Sequence, residues 1–156
     1  MHIRLIAVGD RQPAWVLQAF DQYVRRLPRQ WQFRLDVVVT ARRGNDNDAL
    51  KAKQIESRKV LEMLQPAEQV VLLDETGRQW TSAELAAQLL FWQDAGRDLV
   101  FVIGGPDGMD DECHKRADLH WSLSNLTLPH GLARVLFAEQ LYRAWTMTTG
   151  HPYHRA

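Results

Sequence analysis

Residues 99–108, LVFVIGGPDG, and residues 120–129, HWSLSNLTLP, decide how this chain folds. Each joins an apolar strand core to a turn, the first turn covering residues 104–108 and the second residues 124–129. The unbroken apolar run of residues 99–103 matches a strand buried on both faces of a parallel sheet. Two such strands side by side would bring both turns to one edge, where their backbone groups could converge on a small ligand.

Outward from that pair, Ile3, Leu5, Ile6 and Val8 predict a strand over residues 2–8, stopped by Gly9 and Asp10. Trp15, Val16, Ala19, Phe20, Tyr23, Val24 and Leu27 recur at helical spacing and predict a helix over residues 14–27, closed by Pro28. Residues 33–39 read as a second strand and the polar residues 42–48 as a loop. A helix follows over residues 49–64, with Lys51, Lys53, Glu56, Arg58 and Lys59 on its polar face. Residues 70–73 form a third strand that ends in a turn over residues 74–77. Thr81 and Glu84 make a capping box for a helix over residues 82–95, which Gly96 stops. A short helix over residues 109–117, a strand over residues 120–123 and a helix over residues 131–148, ended by Gly150, complete the chain. Strict alternation of strand and helix predicts one α/β domain over residues 1–156, a mostly parallel sheet flanked by helices. The turns after Leu73, Ile103 and Leu123 then share the carboxyl edge, where ligands bind.

Composition excludes several classes. The formal net charge is zero, so no global field draws in nucleic acid; DNA is not an expected partner, and any RNA contact must be local. Cys113 is the only cysteine, which fits a reducing compartment. The start, MHIRLIAVGD, lacks the basic and apolar regions of a secretory signal, and no window reaches the roughly 18 apolar residues of a membrane span. The expectation is a cytoplasmic protein with no membrane partner. Six tryptophans exceed what a core requires and point to an interface.

The 104–108 turn lacks both the Lys-Ser/Thr pair of a Walker loop and the GxGxxG spacing, so phosphate cradling is disfavoured. Ser122 and Ser124 alternate with Trp121 and Leu123 on one side of a strand, but no GxSxG elbow surrounds them. Cys113 lies between Glu112 and His114, and neighbouring carboxylates raise a thiol pKa, which argues against a nucleophile. His151 and His154 have no ligand spacing around them that would complete a metal site, so no metal is expected. The tail His151-Pro152-Tyr153-His154-Arg155 is either a frayed terminus or an aromatic and cationic surface suited to stacking on bases and contacting phosphate. Arg25, Arg26, Arg29, Arg34, Arg42 and Arg43 make the first third basic, a pattern that solvated faces also produce.

FVIGGPDG at residues 101–108, WSLS at 121–124 with LTLPH at 126–130, EQLYRAW at 139–145 and HPYHR at 151–155 together resemble the ribosomal RNA large subunit methyltransferase H family. The resemblance spans essentially the whole chain. It implies a SPOUT-type α/β fold with a deep trefoil knot near the C-terminus, a homodimer, and S-adenosyl-L-methionine as methyl donor. The positions it implies for the cofactor are Leu73, Gly104, Leu123, Ser124, Asn125, Leu126, Thr127 and Leu128, with Asn125 acting through its backbone. One departure is the run of residues 45–48, Asn-Asp-Asn-Asp, where similar proteins are more basic.

The implied reaction is methylation of N3 of a pseudouridine in a hairpin loop of 23S rRNA, within the large subunit or the assembled ribosome. N3 carries an imide proton, so His154 or His130 is expected to handle a proton, and Arg134 and Arg155 to meet phosphate or developing negative charge. Tyr153 would stack on the target base, Arg25, Arg26 and Arg155 would contact RNA, and in a dimer the tail could complete the partner's site. The alternatives are a ribosome-binding module without catalysis and a methyltransferase acting on another RNA nucleotide.

Overall fold

The computed structural model describes residues 1–155; Ala156, the last residue of the expected domain, lies outside the described residues. Five strands, β1 (Ile3–Val8), β2 (Arg34–Val38), β3 (Gln69–Gln79), β4 (Leu99–Ile103) and β5 (Leu119–Ser122), pair in the order β2-β1-β4-β3-β5. Every pairing is parallel. The helices α1 (Ala14–Val24), α2 (Asp46–Met63), α3 (Ser82–Ala95), α4 (Asp111–Arg116) and α5 (His130–Thr149) alternate with the strands, and short 3-10 turns occupy Arg29–Trp31 and Pro152–Arg155.

Side chains alternate across the sheet as the pleat requires. Ile3, Leu5, Val71, Leu99 and Phe101 pack with Phe20 of α1, Leu89 of α3 and Phe137 of α5. Ile6, Val70, Leu72, Val100 and Val102 pack with Val60 of α2 and Cys113 of α4 on the other face. The surplus of tryptophan is mostly core: Trp92 and Trp121 both lie against Phe101, and of the six only Trp15 is more than half exposed.

Several expected boundaries move, each for a local reason. Helix α1 ends at Val24 because Arg26 and Leu27 donate to Tyr23 and Val24, three residues back, tightening the last turn ahead of Pro28. Helix α2 starts at Asp46 within the expected loop, since Asn45 Oδ1 accepts the Asp48 amide at 3.2 Å and caps it. Its inner face is Ala52, Glu56, Ser57 and Val60, so Glu56 is fully buried rather than solvated. Residues 74–77 do not end β3: the register shifts between Leu73 and Arg78, and the residues form a bulge in a longer strand. A Cβ on Gly77 would lie 2.7 Å from the backbone of His120 and Trp121, so only glycine lets the bulge seat against β5. Strand β5 covers Leu119–Ser122, one residue earlier than expected, which leaves Ser124 in a loop. Helix α4 is shorter than expected and capped by Asp110, which accepts the Cys113 amide at 3.1 Å. The capping box of α3 is as expected, with Thr81 and Glu84 bonded reciprocally and Gly96 left-handed.

Candidate functional site

The carboxyl ends of β3, β4 and β5 surround a cleft of about 760 Å³. Its walls are the start of the β3 bulge, the β4–α4 turn and the segment joining β5 to α5. Of the expected cofactor positions, Leu73, Gly104, Leu123, Ser124, Leu126, Thr127 and Leu128 line it. Asn125 does not: its Oδ1 accepts from Gln79 Nε2 at 2.7 Å, which ties the segment to the far end of β3. Leu126, at 75% exposed, stands on the lip as an apolar side chain with little covering it.

The two serines build this wall rather than react. Ser122 Oγ donates to the Ser124 carbonyl, and Ser124 Oγ accepts the Leu126 amide, both at 2.9 Å, which folds the chain into a compact side-chain turn. Gly104 also acts within the chain. A Cβ there would meet the carbonyl carbon of Gly108 at 3.0 Å and Met109 Cγ at 3.1 Å, so its bare backbone closes the turn on itself.

Behind the cleft lies a polar relay. Arg134 is 1% exposed and its Nη2 donates to the Gly9 carbonyl and to His130 Nε2, each at 2.9 Å. Because a guanidinium only donates, His130 Nε2 accepts, and Nδ1 carries the proton donated to the Gly104 carbonyl at 3.0 Å. Burial holds the His130 pKa below its ordinary value; the Arg134 charge adds to this and the Gly104 bond opposes it. Burial lowers the Arg134 pKa as well, and its Nε is buried without a partner. Of this pair His130 reaches the cleft and Arg134 stays behind it.

The tail residues lie elsewhere. The Tyr153 hydroxyl donates to Glu139 Oε1 at 3.0 Å, and Arg143 binds the same carboxylate while lying over the Tyr153 ring at 5.1 Å. Burial, with Tyr23 and Glu139 beside it, raises the Tyr153 pKa, so the phenol stays protonated. Tyr142 packs against Tyr153 at 4.7 Å and takes Arg26 over its ring at 5.7 Å, while Arg25 pairs with Asp21 at 2.6 Å. His154 is half-buried, with Nδ1 unpartnered, and Arg155 is exposed. The structure thus gathers Tyr153 and Arg26 around Tyr142, about three and a third helical turns or about 18 Å beyond His130 along α5. No tail residue lines the cleft. Arg134 and Tyr142 share the helix but no partner.

Asp74, Glu75, Asp107 and His114 also face the cleft and were not anticipated. Asp74 and Glu75 read as a turn, and only pairing β5 with both halves of β3 would have placed them. His114 Nδ1 lies 3.8 Å from Asp74 Oδ2 and its ring stacks on His120 at 5.3 Å. Cys113 is buried with its thiol on the Ser57 carbonyl; burial, more than the Asp110 and Glu112 charges, pushes its pKa up to about 11. Among the described residues no cluster of three or more His, Cys, Asp or Glu could hold a metal ion, and no helix is long and apolar enough to cross a membrane.

A family model described as "Predicted SPOUT methyltransferase" matches residues 1–154. The chain is 48% identical over 155 residues to the ribosomal RNA large subunit methyltransferase H of Thioalkalivibrio sulfidiphilus, with 99% of each chain covered. It is 46% identical over 155 residues to the protein of that name from Hahella chejuensis, again with 99% of each covered. For the Nitrosococcus oceani protein of the same name the identity is 45% over 156 residues, covering 100% of this chain and 99% of the relative.

Proposed function

The chain belongs to the SPOUT methyltransferase family, and from that premise we propose that it methylates N3 of a pseudouridine in a hairpin loop of 23S rRNA on the assembled ribosome, using S-adenosyl-L-methionine, as a cytoplasmic homodimer. The observation that carries this reading is the cleft at the carboxyl edge, walled by the positions on which the family resemblance rests. The similar ribosomal RNA large subunit methyltransferases supply the rRNA substrate class.

The residues present fit the cofactor. A cleft of about 760 Å³ has the size of a small-molecule site. Leu73, Leu123, Leu126 and Leu128 offer apolar walls, the turns offer backbone donors and acceptors, and Asp74 and Glu75 put carboxylates where a cationic ligand needs them. When bound, S-adenosyl-L-methionine supplies a methyl group on a positively charged sulfur. To reach α5, which starts beside Gly9 at the end of β1, the chain leaving β5 crosses the ends of β3 and β4 in front of the 104–108 turn. We take that crossing as the trefoil knot.

The target N3 must lose its imide proton. His130 is a poor acceptor because Arg134 occupies its Nε2 and its pKa is lowered, so proton transfer falls to His154 in the tail. Arg134 and His130 hold the Gly104 carbonyl in place, and the buried Arg134 charge favours negative charge developing nearby. Tyr153 stacks on the base, and Arg155, with Arg25 and Arg26 at the same end of the molecule, contacts RNA phosphate. The distance between the tail and its own cleft favours a tail that completes the site of a second copy.

Mass mapping of 23S rRNA from cells lacking and regaining the protein tests the reading. The expected result is one methylated pseudouridine that appears only with the protein. Methylation of another nucleotide, or none, would overturn it. A binding module without catalysis would show no thermal shift with S-adenosyl-L-methionine.

A further inference from the structure

The methyl-transfer reading makes no use of the ion cluster that holds the 104–108 turn from behind. Glu56 is fully buried on α2, where its Oε2 accepts the Ala41 amide and Arg43 Nη1 while its Oε1 accepts Arg43 Nη2, each at 2.8 Å. The same guanidinium uses Nε to reach Asp107 Oδ2 at 2.8 Å and Nη1 to reach the Ala41 carbonyl at 2.9 Å. Every nitrogen of Arg43 is therefore committed within the chain, although the sequence places it in a basic run. The turn rests on the cluster directly: a Cβ on Gly105 would stand 2.6 Å from Glu56 Oε1. Next along α2, Ser57 Oγ accepts the Asp110 amide at 2.9 Å and pins the far end of the same turn. Asp107 lines the cleft, whereas Arg43 and Glu56 do not.

A buried ion pair is a weak source of net stability, because desolvation offsets most of the attraction. What a planar fork bonded on three sides does supply is geometry. We propose that Arg43 is a positioning residue for the cofactor: through Asp107 it sets the 104–108 wall of the cleft and couples that wall to residues 41–44. This rests on the reading of the cleft as the S-adenosyl-L-methionine site. By reciprocity, filling the cleft steadies residues 41–44, and loosening the fork weakens binding without any lost contact to the ligand.

Calorimetric titration of S-adenosyl-L-methionine into the wild-type chain, Arg43→Lys, Asp107→Ala and the double variant tests this, with amide exchange at Ala41 followed with and without ligand. Lysine keeps a cation for Glu56 but cannot hold both carboxylates. Each single variant should bind roughly 5–20-fold more weakly, and the double no more weakly than the worse single. Asp107→Asn, which keeps an acceptor, should bind within about threefold of wild type. Ligand should slow Ala41 exchange in wild type and not in Asp107→Ala. The proposal is overturned if Arg43→Lys binds as wild type, if the two losses multiply, or if Ala41 responds equally in both chains. Should Arg43→Lys fail to fold, the exchange comparison in Asp107→Ala decides alone. No binding to the wild-type chain would instead overturn the functional reading, and this proposal with it.

Discussion

At its N-terminal end α5 closes a cleft whose walls are backbone turns, pinned from behind by Arg134, His130 and the Glu56–Arg43 fork. At its C-terminal end the same helix carries a tail held by a handful of side chains: Tyr153 on Glu139, Arg143 on both, and Tyr142 beneath. The cleft is shaped by groups that cannot move without unpairing buried polar atoms. The tail is held by a few part-buried contacts, the Tyr153 hydroxyl on Glu139 and its ring on Tyr142. On the proposed reading, one end holds a small molecule and the other meets a large RNA surface, and the two kinds of construction suit those tasks.

Cutting the chain after Gly150 makes the sharpest break between the two ends. Methyl transfer should fall on the order of 10²–10⁴-fold as proton transfer and base stacking are lost, while cofactor affinity stays near wild type by calorimetry. Unchanged turnover would remove the tail from the reaction.

Gly77→Ala attacks the other end. Its Cβ has nowhere to go against the His120 and Trp121 backbone, so about 2–3 kcal/mol of stability should be lost, read as a fall of roughly 5–10 °C in Tm. The wall carrying Leu73 and Asp74 would loosen with it. A Tm equal to wild type would mean that the bulge tolerates a side chain.

The relay predicts a pH dependence. His130 has a folded pKa below its ordinary 6.5, so the unfolded chain binds its proton first as pH falls. The stability His130 allows is complete above about pH 6.5 and declines below it, until pH passes the lowered folded value. In His130→Asn, which removes this titration, unfolding curves should lose less stability between neutral and mildly acid pH. An identical slope in both chains would show that other groups govern the acid limb.

Much of the fold is legible because its boundaries are set by residues with few uses. The apolar run of β4, the Thr81–Glu84 box and the glycines at 96 and 150 each have one common structural role, and each fills it. Asp74 and Glu75 escaped because turn-forming residues also build bulges, and which applies depends on β5, more than forty residues away. Glu56 and Arg43 escaped for a related reason: charge in sequence reads as solvated, and only the fold shows that Glu56 is buried with Arg43 as its partner. The tail's composition was readable, whereas its docking on Glu139 was not.

Asn125→Ala should do least. The side chain faces Gln79 and not the cleft, so affinity for S-adenosyl-L-methionine should change by about twofold or less, a modest price for losing one exposed hydrogen bond. A tenfold loss would put Asn125 back among the cofactor contacts.

The most direct test of a cleft and a tail that work on different copies is complementation. Gly104→Leu chains, whose turn cannot close, and chains cut after Gly150 are co-expressed in equal amounts, and the whole unsorted dimer population is assayed for methyl transfer to 23S rRNA. Each variant alone should be inactive, and the mixture should recover about a quarter of wild-type activity, because half of the dimers then hold one complete site. A mixture as inactive as its parents would contradict the account.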